Sequence, residues 1–280
     1  MTTRFTAALV VALIFSASAS PAAASNPYGS RAGGTSDSTP ARANPPAHDV
    51  ALGPTTPTVS SLNEGFDNIT TLVGNGWSLQ NNSAPRGTTD WTQGPSVGGG
   101  GPFDAFDGAV NAYISTNYNN VGSSGTISNW MLTPELSFGA GATLTFYTRK
   151  VAPDAYADRL EVRLSSNGAS TNVGSTATTL GDFTTLALSI NPNLVLGVYP
   201  TIWTQYTITG LPHSGNGRLA FRYYVTSAGS SGSNSDFIGI DRVVYNTGAP
   251  EYQVGGNVAG LAGSGLLLRL NGSIDLPIGA

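Results

Sequence analysis

Between Asn63 and Tyr245 the apolar residues recur in short runs with a period of two. Leu144, Phe146 and Thr148 alternate with Thr145 and Tyr147; Leu160, Val162 and Leu164 alternate with Glu161 and Arg163. Leu219, Phe221, Tyr223 and Val225 alternate with Ala220, Arg222 and Tyr224, and Phe237 to Tyr245 closes the series. Successive side chains of a strand point to opposite faces, so this pattern predicts half-buried antiparallel strands. Clusters such as Gly139-Ala140-Gly141, Ser166-Asn167-Gly168 and Ser214-Gly215-Asn216-Gly217 mark turns between them. Leu180 to Ile190 is the best helical candidate, but it lacks an i, i+3, i+4 stripe and is rich in Thr, which favours strand or irregular structure. Strands at this spacing predict an all-β sandwich of two antiparallel sheets. Trp77, Trp91, Trp130, Trp203, Phe146 and Phe221 are its expected large core residues, with Trp91 the best candidate for an exposed stacking surface because it sits in the polar segment TTDWTQG.

Composition sharpens this reading. Only 10% of residues are charged, with 36 Gly, 17 Pro and no Cys. That profile suits short strands and many turns, and it leaves no disulfides or thiolate metal sites. The net charge is −4 and Lys150 is the single lysine, so no basic patch exists to hold a nucleic-acid backbone.

The first residues read as an address. Arg4 precedes an apolar run from Phe5 to Phe15, and small residues follow up to Ala22-Ala23-Ala24, the pattern of a secretory signal peptide cleaved after Ala24. The run is about half the roughly 20 residues a membrane span needs. Residues 25–61 are rich in Pro, Gly and Ser and poor in large apolar side chains, which predicts a disordered linker. A domain is expected over residues 62–247. Residues 248–280 read as a truncated β-repeat-like tail with no evident anchoring signal, in which one or two strands could form. Export makes the expected location secreted or cell surface.

Several motifs occur in a familiar order: NEGFDNITTL near the start, then DWTQG, DAFDGAVNAYISTNYNN, NWMLTPELSF, LTFYTRK, DRLEVRLSSNG, WTQYTITGL, RLAFRYYV and FIGIDRVVY. This series resembles the bacterial choice-of-anchor J domain, which is similar to the cleaved-adhesin domains of secreted haemagglutinin-proteases and more distantly to MAM domains. The resemblance implies a jelly-roll β-sandwich and a non-catalytic, adhesin-type surface module, and some relatives bind structural calcium. One departure is Arg242, which stands after Ile240-Asp241 where relatives often carry a second acid.

Candidate sites follow from residue type. Calcium takes six to eight oxygens from acids and loop carbonyls. Glu64, Asp107 and Asp241 are the expected metal ligands, since a jelly roll brings its first and last strands together. Asp67, Asp104 and Asp236 lie close to them in sequence. For a glycan ligand, Trp91, Tyr118 and Tyr156 are the expected contact residues; Tyr113 and Asn119 also lie near polar loops. The partner is thus expected to be an extracellular protein or a glycan. Catalysis is not expected. Ser96 lies in a G-x-S-x-G match (Gly94 to Gly98), but a run of glycines follows it where a nucleophile elbow needs a helix. His213 is the only histidine in the domain, in a Pro-His-Ser-Gly turn, and a zinc site lacks ligands.

Overall fold

The computed structural model describes residues 58–248 and two later strands, Leu266–Leu270 and Ile274–Ile278. The expected signal peptide, most of the expected linker and the rest of the expected tail lie outside the described residues. The strands in chain order are β1 (Ser61–Glu64), β2 (Ser78–Asn81), β3 (Ala84–Arg86), β4 (Thr92–Gln93) and β5 (Ile114–Asn117). Then come β6 (Val121–Leu132), β7 (Leu136–Ser137), β8 (Thr143–Lys150), β9 (Leu160–Ser165) and β10 (Thr185–Ile190). The series ends with β11 (Thr204–Ile208), β12 (Asn216–Ala228), β13 (Phe237–Asn246), β14 (Leu266–Leu270) and β15 (Ile274–Ile278). Helical structure among the described residues is confined to three single-turn 3₁₀ segments.

Two antiparallel sheets form the sandwich. One has the order β11-β8-β13-β5-β4, with β1 also on β13; the other has the order β10-β9-β12-β6-β2, with β3 on β6 and β7 on β12. As expected for a jelly roll, the first and last strands of the domain are neighbours: Ser61 to Glu64 pair antiparallel with Asn246 to Val243. Pairing starts ahead of Leu62, because Val59 N–H donates to the Glu135 carbonyl and the Val59 carbonyl accepts from Ser137 N–H. β14 and β15 pair as an antiparallel hairpin.

The period-two pattern sets the inner faces. Leu144 and Phe146 of β8 face Leu160, Val162, Leu219, Phe221, Tyr223 and Val225 of the other sheet in one continuous core. Phe146 meets Phe221 edge to face at 5.0 Å across the sandwich. Each such ring stabilises the fold by roughly 1.5–3 kcal/mol through burial alone.

The outer faces depart from simple alternation, for loops cover both of them. On one sheet, Val173 and Phe183 from the β9–β10 connection pack against Trp130, Leu132 and Ala220 as a second apolar cluster. Glu161, Arg163 and Arg222, expected at a polar outer surface, are therefore buried there as a charged network. Arg222 lies over the rings of Trp130 and Tyr224, and burial pushes its guanidinium down to about 10. On the other sheet, Phe103, Tyr113 and Trp203 form an aromatic cap over Gly239. A Cβ at Gly239 would lie within 3.0 Å of all three rings, which explains the glycine in FIGIDR.

Candidate functional site

β2 and β4 are the outermost strands of their respective sheets, so the segment from Asn82 to Trp91 connects one sheet edge to the other. A cleft of about 510 Å³ opens there, lined by Leu79, Gln80, Asn81, Asn82, Arg86, Asp90, Trp91 and Asn129. Its wall is a network of side-chain amides. Asn81 and Asn129 are cross-strand partners on β2 and β6, on the same face as the apolar pair Leu79 and Met131. Asn129 Nδ2 donates to Thr116 Oγ1 and to Asn120 Oδ1, each at 3.1 Å. Asn120 is fully buried, also accepts from the Thr116 hydroxyl, and donates from Nδ2 to the Thr89 and Asp90 carbonyls. Asn81 Nδ2 donates to the Thr89 and Asn120 carbonyls, both at 3.1 Å. Gln80 and Asn82 donate to the Gly174 carbonyl, and Arg86 pairs with Asp90 at 2.9 Å across an exposed rim.

This network holds the Thr89–Asp90 backbone against the sheets without using all of its own capacity. Asp90 Oδ1, Trp91 Nε1 and Asn129 Oδ1 are buried and have no hydrogen-bond partner in the protein. Buried polar atoms are nearly always satisfied, and each orphan costs about 1–3 kcal/mol. Only two other side-chain atoms of the described residues share this state, Trp77 Nε1 and Asp158 Oδ2, and the latter lies 2.9 Å from the Lys150 ammonium in an ion pair. Unmet hydrogen-bonding capacity is thus concentrated on residues of this one cleft.

The residues expected to contact a glycan separate in space. Trp91 lines the cleft but is only 4% exposed and belongs to the main core, so it is not the open stacking platform its polar flanks implied. Tyr113 is likewise buried; its hydroxyl donates to the Pro95 and Phe103 carbonyls. Tyr118 and Tyr156 are 37% and 46% exposed and come together around a second, smaller groove with Ser235 and Asp236. Asn119 N–H donates to Asn117 Oδ1 in the 3₁₀ turn between the two sites.

The expected calcium ligands each find a protein partner. The β13–β8 ladder carries a bulge between Asp241 and Val244, with Arg242 at φ 52°. A bulge breaks strict alternation, so Ile240 and Asp241 are both buried while Arg242 turns outward. Asp241 accepts from the N–H groups of Phe106, Asp107 and Arg242 at 2.8, 3.1 and 2.6 Å. Burial outweighs those bonds, and with a smaller push from the Asp67 charge it raises the carboxyl to about 7. Asp107 is ion-paired with Arg242, the residue that follows Asp241 on β13. Glu64 accepts from Phe66 N–H at 2.7 Å, and burial first, then the Asp67 charge, pushes it up. Among the described residues no three His, Cys, Asp or Glu side chains are grouped to hold a metal ion.

Ser96 Oγ caps a 3₁₀ turn by accepting from Gly99 N–H, and His213 is exposed on its turn; no hydrogen bond joins them. The sequence reading does not single out the cleft residues Gln80, Asn81, Asn82 and Asn129. Their signal was present all the same: Asn81 and Asn129 are amides at core-facing positions of two paired strands, where alternation calls for apolar side chains.

No protein-family model matches the chain, and no curated protein matches it. Among solved structures, it is similar to the K3 cleaved adhesin domain of Lys-gingipain from Porphyromonas gingivalis, at 25% identity over 67% of this chain and 97% of that one, with a TM-score of 0.45. The K1 cleaved adhesin domain of the same protein aligns at 22% identity over 68% and 100% of the two chains, again with a TM-score of 0.45. A family 11 carbohydrate-binding module from Clostridium thermocellum, solved with a mixed-linked tetrasaccharide, aligns at 11% identity over 70% and 100%, with a TM-score of 0.36. No helix among the described residues is long and apolar enough to cross a membrane.

Proposed function

We propose that this protein is a non-catalytic, exported recognition module that binds a neutral oligosaccharide in the cleft between β2 and Trp91. The observation that carries the reading is the chemistry of that cleft. Four side-chain amides, one carboxylate and one guanidinium line it, and three buried polar atoms of its residues lack protein partners. A sugar hydroxyl both donates and accepts, so a single ring can pair with the mixture of amide, carboxylate and guanidinium groups that line the cleft, which an apolar ligand would leave unmet. Leu79 adds apolar surface for the C–H face of a ring. The volume falls within the roughly 300–1,000 Å³ of ordinary ligand sites. The wall is held by the Asn81, Asn120 and Asn129 network before any ligand arrives, which lowers the ordering cost of binding. Export is supported by the leader-like start of the sequence and an adhesive role by the glycan reading itself.

The test is a glycan array followed by calorimetry on the full chain and on two rim variants, Asp90→Ala and Asn82→Ala. These rim residues are less deeply packed than Trp91, whose truncation would damage the core. The expected result is a retained oligosaccharide whose affinity falls about tenfold or more in each variant, equivalent to about 1.4 kcal/mol, with little change in melting midpoint. An array with no retained glycan, or variants that bind as well as the parent, would overturn the proposal.

A further inference from the structure

The second groove, about 220 Å³, has a different chemistry. It is built around the Ser235–Asp236 backbone. Ser235 N–H donates to the Ala157 carbonyl at 2.9 Å, which fixes the residue after Tyr156. The Asp236 carbonyl accepts from Tyr118 N–H at 2.8 Å, which fixes the other tyrosine. Ser235 Oγ accepts from Gly229 N–H at 3.0 Å and ties down the opposite wall. Two half-exposed tyrosines, Ser230, Ser235 and one carboxylate therefore share a small, braced hollow.

Among the described residues the Asp236 carboxylate has neither a hydrogen-bond partner nor an ion pair. Its surroundings are short of positive charge. Behind the groove the Lys150 ammonium is fully buried and already bound by Asp154, Asp158 and the Tyr156 carbonyl. Three carboxylates, those of Asp154, Asp158 and Asp236, thus face one ammonium. Burial first, and then the charges of Asp158 and Asp154 against the opposing pull of Lys150, raise Asp236 to about 6. The other neighbours are the phenols of Tyr118 and Tyr156, which line the groove, and of Tyr223, whose hydroxyl donates to Asp158.

We propose that the groove between Tyr118 and Tyr156 binds an organic ammonium group, with Asp236 as its counter-charge. An ammonium offers three donors that Asp236 and the two serine hydroxyls can accept, and a cation gains further from nearby aromatic rings. A free alkylamine and a lysine side chain on a partner protein carry the same group. A neutral sugar would leave the carboxylate uncompensated, so this groove and the amide-lined cleft select different ligands.

The experiment is titration of the full chain, at about pH 7.5, with n-butylamine and separately with a short capped peptide containing one lysine, read by NMR shifts of the tyrosine rings. Saturable butylamine binding in roughly the millimolar range is expected. It should weaken about tenfold or more in Asp236→Asn and in Tyr156→Ala, and should be unchanged in Asp90→Ala of the glycan cleft. Asp236→Asn removes charge from a crowded acidic region, so its melting midpoint is expected to hold or rise, which separates lost binding from lost folding. A peptide that binds more tightly than butylamine identifies a protein lysine as the source; equal affinity identifies the free amine. Binding should also fade below about pH 6, as Asp236 takes up a proton. Absence of saturation by either ligand, or full affinity in Asp236→Asn, overturns the proposal, whatever the glycan cleft does.

Discussion

Substituting Asn120 by alanine tests whether the amide network is what holds the cleft. Asn120 is fully buried and is the hub between Thr116, Asn129, Thr89 and Asp90. Truncation removes every one of these contacts, but the partners suffer unequally. The Thr89 carbonyl keeps its bond from Asn81 Nδ2, and Asn129 Nδ2 keeps its bond to Thr116 Oγ1. The Thr116 hydroxyl hydrogen and the Asp90 carbonyl lose their partners. Two stranded buried groups at about 1–3 kcal/mol each give a loss of about 2–6 kcal/mol. Water reaching the partly exposed Thr89–Asp90 segment should hold the loss to the lower half, about 2–4 kcal/mol. For a domain of this size each kcal/mol lowers the melting midpoint by about 2–4 °C, so a fall of about 4–16 °C is expected by calorimetry. Asn120→Asp keeps an acceptor for Thr116 and Asn129 but loses the donors to residues 89 and 90 and buries a charge, so it should not rescue. A midpoint within about 1 °C of the parent would refute the reasoning, since it would mean that water replaces the hub at no cost.

Three further predictions follow from other parts of the fold. Asp236 and Asp241 are raised to about 6 and about 7, above an ordinary carboxylate near 4. The folded state therefore holds their protons more tightly than the unfolded chain does, and this contribution is full below about pH 4 and lost as pH rises through 7. The melting midpoint should fall between about pH 5 and pH 8, and less so in Asp241→Asn; a flat or rising profile would contradict the burial of these acids. A Cβ on Gly217 would lie 2.0 Å from the Ser165 carbonyl oxygen, a backbone atom that cannot swing away, so Gly217→Ala should cost about 3 kcal/mol or more in chemical denaturation. Because Asp241 is served by three N–H groups and Asp107 by Arg242, EDTA is expected to leave the midpoint unchanged; a drop of several degrees that calcium reverses would show that an ion does join this end of the sandwich.

What the sequence by itself determined is the sandwich. Alternation in β8, β9 and β12 places Phe146, Val162 and Phe221 on inward faces, because strand geometry leaves each side chain only two directions. Within the 180–190 segment, irregular structure leads into strand β10 at Thr185–Ile190, in keeping with its threonines. Which outer faces are wet was decided only in three dimensions. Period-two reading treats Glu161, Arg163 and Arg222 as solvent-facing, yet the connection carrying Val173 and Phe183 folds over them, a packing choice that no local window contains. The same limit governs the sites. Polar flanks implied an open Trp91, but its ring enters the core while Asn81, Asn120 and Asn129, from three separate segments, meet to build the wall beside it. The bulge after Asp241 is likewise a property of paired strands, and it sends the acid inward and Arg242 to Asp107. Local alternation fixes the direction of a side chain; what that side chain meets depends on loops and strand edges brought together from far along the chain.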